Sequence, residues 1–101
     1  MAYQIIVKKR FTNKIVRLLE YLETDWGKTV ADNFLKEIDR RLHTISEQPL
    51  MGVASNDDKT VRSILITKHN RLYYRIKVNT IEIVNMYDTR MNPRRNPYYR
   101  K

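Results

Sequence analysis

Apolar positions along the first half of the chain change period twice. Tyr3, Ile5 and Val7 alternate with Gln4, Ile6 and Lys8, the two-residue repeat of a short strand with one apolar face. After the basic run Lys8-Lys9-Arg10 the spacing becomes helical. Ile15, Leu18, Leu19, Leu22 and Trp26 predict a first amphipathic helix, with Thr12 as its N-cap and Gly27 as its stop. Val30, Phe34, Leu35, Ile38, Leu42 and Ile45 trace a second helical stripe. It opens on a capping-box-like Thr29/Asp32 pair and must end before Pro49. Two such helices in succession predict an antiparallel hairpin.

Residues 49–59 carry Gly and Pro punctuation and no period, and read as a loop. Three strand-like runs follow, Thr60 to Thr67, Arg71 to Val78 and Ile81 to Tyr87. They are rich in Ile, Val and Tyr, and His69-Asn70 and Asn79-Thr80 are short enough to close antiparallel hairpins. The order β-α-α-β-β-β implies an α+β domain spanning residues 1–101, with the helices on one face of the sheet and a basic tail at 89–101. The other face is expected to be free for function.

Charge sharpens this picture. The formal net charge is +9 over 101 residues, and no acid precedes Glu20. Residues 18–48 hold seven of the eleven carboxylates, whereas residues 59–101 hold eleven cations against Glu82 and Asp88. Such asymmetry points to a polyanionic partner, either nucleic acid or an acidic protein segment. The chain has no cysteine, which excludes disulfides and thiolate chemistry and fits a cytoplasmic protein. No apolar run reaches the length of a membrane span, so no membrane partner is expected.

Candidate chemistry gathers in the second half. Within Arg71 to Val78, Leu72, Tyr74, Ile76 and Val78 share one side, and Arg71, Tyr73, Arg75 and Lys77 share the other. Cations around an aromatic ring suit phosphate contacts and base stacking, so these four residues, with Arg94 and Arg95 of the tail, are candidate RNA-binding residues. Arg62 on the preceding strand and Arg90 after the last one are candidates to converge beside them. His43 and His69 lie far apart without carboxylates at ligand spacing, and Gly27 and Gly52 make no phosphate loop. No metal or cofactor is therefore expected. What remains is arginine and phenol chemistry: guanidinium groups stabilising charge on a phosphate, with Tyr98 or Tyr99 moving a proton. The alternative for the two tyrosines is packing of the tail onto the sheet.

Several segments resemble the RelE/ParE superfamily, the toxins of bacterial type II toxin–antitoxin systems. The segment Val30-Ala31-Asp32-Asn33-Phe34 through Leu42, then Gln48-Pro49 and Gly52, is similar to its helix-and-turn pattern. Val61-Arg62-Ser63-Ile64, Leu72-Tyr73-Tyr74-Arg75-Ile76 and Ile81-Glu82-Ile83-Val84 through Asp88-Thr89-Arg90 look like its three later strands. The resemblance implies a four-stranded, largely antiparallel sheet packed by a helical hairpin. It also implies a role in growth inhibition and plasmid stabilisation, and a cognate antitoxin whose C-terminal segment wraps the toxin. RelE-like members are RNA interferases that cut mRNA on the ribosome, and ParE-like members poison DNA gyrase. Arg62 and Arg90 match arginines of the nucleases, and with Tyr98 and Tyr99 they are the candidate catalytic residues. The lysine pair that those nucleases carry ahead of the first arginine is replaced by Val53 and Ser55. The register of their terminal tyrosine falls near Asn96. The long helical hairpin is more ParE-like, whereas the basic, aromatic tail favours RNA. On that balance the expectation is an mRNA-cleaving toxin, with gyrase inhibition or a non-toxic nucleic-acid-binding module as alternatives. Arg62→Ala and Arg90→Ala are expected to relieve toxicity and leave stability nearly unchanged.

Overall fold

The computed structural model describes residues 2–55 and 58–98. Strand β1 (Gln4–Val7) leads into helices α1 (Lys9–Trp26) and α2 (Lys28–Glu47). A 3-10 turn at Pro49–Met51 then leads to β2 (Val53–Ala54), β3 (Val61–Thr67), β4 (Asn70–Ile76) and β5 (Thr80–Asp88), and a second 3-10 turn spans Pro93–Arg95.

The strands form one sheet in the order β1-β5-β4-β3-β2. β1 pairs parallel with β5, and the other pairings are antiparallel. The α+β class and the helical hairpin are as expected, but the sheet has five strands rather than four and is mixed. The fifth strand, β2, lies inside the segment read as a loop. At two residues it is too short to show a period, and only its pairing with Ser63 and Arg62 reveals it. The helical hairpin carries the chain from β1 at one edge of the sheet towards β2 at the other, and β3, β4 and β5 return it to pair parallel with β1.

Both helix starts also differ from expectation. α1 begins at Lys9, so Thr12 sits in its first turn, and α2 begins at Lys28, where Asp32 pairs with Lys28 at 3.2 Å. Neither start has a side-chain cap. Gly27 alone joins the helices, and its φ of 98° is the reason for glycine there, because a side chain at that dihedral is strained.

The core lies between the hairpin and one sheet face. Phe11 and Ile15 of α1 and Phe34, Ile38 and Ile45 of α2 pack on Ile64, Ile66, Leu72, Tyr74, Ile81, Ile83 and Met86. Tyr74, Ile45, Leu72, Ile81 and Ile83 are fully buried, each contributing about 1.5–3 kcal/mol of transfer free energy. Trp26, Val30 and Leu35, expected on the apolar stripes, remain exposed.

A bulge decides which side chains share the second face. Tyr73 pairs with Asn85 but Tyr74 with Ile83, so β5 has one extra residue, Val84, at this step. Alternation reverses across it. Ile81 and Ile83 before the bulge and Met86 after it all reach the core, while Glu82, Asn85 and Tyr87 share the opposite face with Tyr73 and Arg75.

Candidate functional site

The face away from the helices is not bare, because the tail folds back over part of it. After the turn at Pro93–Arg95, Asn96 Nδ2 donates to the Tyr73 hydroxyl at 3.0 Å, and the Tyr98 ring stacks on Tyr73 at 5.1 Å between centroids. Tyr87 meets Tyr73 edge-on at 5.8 Å. Tyr73 is left only 6% exposed. Tyr98 thus packs the tail onto the sheet, and Tyr99 lies outside the described residues. Arg71, Tyr73, Tyr87, Asp88, Met91 and Asn96 line a cavity of about 110 Å³ beside this stack.

The cations expected to converge here are divided. Arg62 pairs across the sheet with Tyr74, which places it on the helix side. Its Nη1 donates to the carbonyls of Leu50 (3.1 Å) and Gly52 (2.7 Å), while Nε is buried without a hydrogen-bond partner. Tyr74 completes the same knot: its hydroxyl donates to the Pro49 carbonyl at 2.6 Å and accepts from Gly52 N at 3.0 Å. Burial pushes the Tyr74 phenol up. Arg62 and Tyr74 thus tie the chain leaving α2 to the sheet. Convergence of Arg62 with Arg71, Tyr73 and Arg75 does not occur. The register explains this: Arg62, Ile64 and Ile66 stand two positions apart along β3, and Arg62 and Ile64 pair with the core residues Tyr74 and Leu72, so Arg62 is on the helix side.

Arg90 is exposed at the end of β5 and engaged with Asp88 through Nε (3.0 Å) and Nη2 (2.8 Å). These bonds hold the Asp88 carboxyl down at about 2. Arg71 donates to Ser63 Oγ at 2.9 Å. Arg94 and Arg95 are exposed on the tail turn.

Arg75 and Lys77 belong to another cluster. Glu82, nearly buried, accepts from Lys8 (3.2 Å) and Lys77 (3.3 Å) and lies 3.5 Å from Arg75, which also reaches Asp58 at 3.6 Å. Burial raises the Glu82 carboxyl, but the hydrogen bonds from Lys77 and Lys8 outweigh it and leave it below its ordinary value.

Lys14 was missed by sequence reasoning. It donates to the Met86 carbonyl at 2.6 Å and lies 4.6 Å over the Tyr87 ring, covering the edge of β5 beyond the reach of β1. Burial, then the charges of Arg17 and Arg10, lower its ammonium from the ordinary lysine range. A lysine on the polar side of a helix carries no sequence signal for this. Among the described residues, no three His, Cys, Asp or Glu side chains gather as metal ligands, and no helix is long and apolar enough to cross a membrane.

The profile of one protein family, the ParE toxin of the type II toxin–antitoxin system parDE, matches residues 5–93. The chain belongs to the ParE toxin family. Among curated proteins, none is similar enough in sequence to match. Solved structures similar in fold include a protein of the chromosomal ParDE system from P. aeruginosa, with TM-score 0.72 and 11% identity, covering 86% of this chain and 96% of that one. The YoeB dimer from Staphylococcus aureus gives 0.60 at 15% identity over 86% and 97% of the two chains. A YoeB/ParE toxin from Agrobacterium tumefaciens gives 0.60 at 13% over 84% and 97%. At these identities the likeness carries the fold, and the family match carries the ParE assignment.

Proposed function

We propose that this ParE-family toxin stops growth by binding DNA gyrase, and that a cognate antitoxin neutralises it. One observation carries the choice of gyrase over mRNA. The first candidate catalytic arginine, Arg62, is on the helix side of the sheet, tied to the Leu50 and Gly52 carbonyls, while Arg90 and Tyr98 are on or beside the other face. Metal-free RNA cleavage needs its phosphate-holding and proton-moving groups within reach of one phosphate. This arrangement separates them, and Arg90 is engaged with Asp88. The basic, aromatic tail that favoured the RNA reading has Tyr98 packed on Tyr73, where its phenol serves the fold.

A toxin that acts by binding needs a shaped surface rather than a poised proton donor. The exposed apolar side chains of the hairpin, Val16, Tyr21, Trp26 and Leu35, suit the apolar side of an amphipathic antitoxin segment, whose acids would meet the cations of the strands and tail rather than the acids of the hairpin. The opposing charges should speed association, so raising salt should slow the on-rate more than it quickens release.

Pulse labelling after induction tests the reading. DNA synthesis is expected to fall while protein synthesis continues, and antitoxin co-expression is expected to restore growth. Arrest of protein synthesis first would return the RNA reading, and unimpaired growth at high soluble expression would remove the toxin function.

A further inference from the structure

The cluster around Glu82 opens into a cleft of about 340 Å³ lined by Lys8, Lys9, Arg10, Arg75, Glu82 and Val84. Three separate parts of the fold build it: the β1–α1 junction, strand β4, and strand β5 with its bulge at Val84. Lys77, from the β4–β5 turn, joins through Glu82. Among the described residues Lys8, Lys9, Arg10, Arg75 and Lys77 face two carboxylates, Glu82 and Asp58, in the contacts that hold the cluster together. Lys9 and Arg10 are exposed and take no part in an ion pair among those residues.

These two cations are costly where they stand. They occupy the first turn of α1, at the positive end of the helix dipole, which disfavours a cation. No acid in that turn offsets them. Glu82 serves the opposite end of the arrangement, holding Lys8, Lys77 and Arg75 against the sheet so that they do not repel one another out of the cleft.

We propose that this cleft holds the phosphate backbone of duplex DNA. The proposal extends the gyrase reading and rests on it for the choice of DNA, since gyrase already carries a duplex. The lining decides the class of ligand. Its one apolar side chain is Val84, so an amphipathic protein segment would find little to bury, whereas phosphodiesters need only cations. Single-stranded RNA would need exposed rings to stack its bases, and no aromatic side chain lines the cleft. Tyr73, the nearest ring on β4, is covered by Tyr98.

The test uses the full chain without gyrase and a fluorescein-labelled duplex of about 20 base pairs, read by anisotropy across a salt series. Binding should weaken with salt, and the double variant Lys9→Ala/Arg10→Ala should lower the slope of log affinity against log salt by about two. The same variant should lose roughly 10-fold or more in affinity at low salt. Lys28→Ala/Lys36→Ala, which removes equal charge from α2, should change neither by much, and unaltered melting curves would show that both variants fold. Absence of binding, or equal weakening by the two double variants, overturns the proposal. So does tighter binding of labelled poly-glutamate than of the duplex, lost in the Lys9/Arg10 variant, which would assign the cleft to an acidic protein. A chain that fails to bind DNA yet inhibits supercoiling overturns the cleft alone. One that binds DNA through Lys9 and Arg10 but leaves gyrase untouched upholds the cleft and overturns the gyrase reading.

Discussion

Replacing Arg62 by alanine should destabilise the fold, contrary to what its resemblance to a catalytic position suggests. Its Nη1 supplies two charge-assisted hydrogen bonds, to the carbonyls of Leu50 and Gly52. A hydrogen bond to a charged group contributes about 1.5–3 kcal/mol when shielded, so the part-buried bond to Gly52 sets the scale and the exposed one to Leu50 adds little. Truncation also relieves the burial of Nε, which has no partner, and that offsets about 1 kcal/mol. The net loss is about 1 kcal/mol, or a fall in Tm of roughly 4–8 °C for a domain of this size. Arg62→Lys should recover less than half, because a single ammonium cannot reproduce the guanidinium geometry. Thermal unfolding followed by far-UV circular dichroism reads both variants. A melting temperature unchanged within about 2 °C in Arg62→Ala, together with lost toxicity, would refute the structural role and return Arg62 to the catalytic reading.

Three further perturbations probe other parts of the account. A Cβ at Gly52 would collide with the Tyr74 hydroxyl and approach the Ser63 carbonyl to 2.9 Å, so Gly52→Ala should cost about 1–3 kcal/mol in chemical denaturation. Tyr98→Ala should lose about 0.5–1.5 kcal/mol of stacking on Tyr73 beyond the buried area, whereas Tyr98→Phe should keep both stability and growth inhibition; a Phe variant without toxicity would implicate the phenol in chemistry. The Asp88 carboxyl falls from 3.8 to about 2 in the folded chain, so its stabilising contribution is complete above about pH 4 and is lost as pH falls towards 2. Asp88→Asn should therefore narrow its stability deficit against the native chain on acidification, a difference that denaturation at several pH values measures. The effect should be small because the pair is exposed.

The parts of the fold that were legible in the sequence are those with an unbroken period. The two helical stripes and the polar–apolar alternation of β4 were readable because each repeats over several turns or pleats. Gly27 was readable as a stop because a single residue had to reverse the chain. β2 has two residues and no period to detect, and the parallel pairing of β1 depends on contacts between the ends of the chain. The reversal of faces at Val84 follows from a bulge, which a run of Ile, Val and Met conceals. Arg62 is a different case. It shares its strand parity with Ile64 and Ile66, so its place on the core side was encoded in the alternation, but its resemblance to a catalytic position drew attention to its charge rather than its face. Glu82 entered the sequence reading only as one of two acids in a basic region. It is the carboxylate on which Lys8, Arg75 and Lys77 converge.

The central claim is that this ParE-family chain acts by binding gyrase and not by cutting RNA. Its most direct test is a paired assay with one preparation of the full chain, measuring supercoiling by purified DNA gyrase and integrity of an end-labelled mRNA on translating ribosomes. Loss of supercoiling at near-stoichiometric toxin, reversed by the cognate antitoxin, with the mRNA intact, is the predicted result. Cleavage of the mRNA with supercoiling unaffected would contradict it.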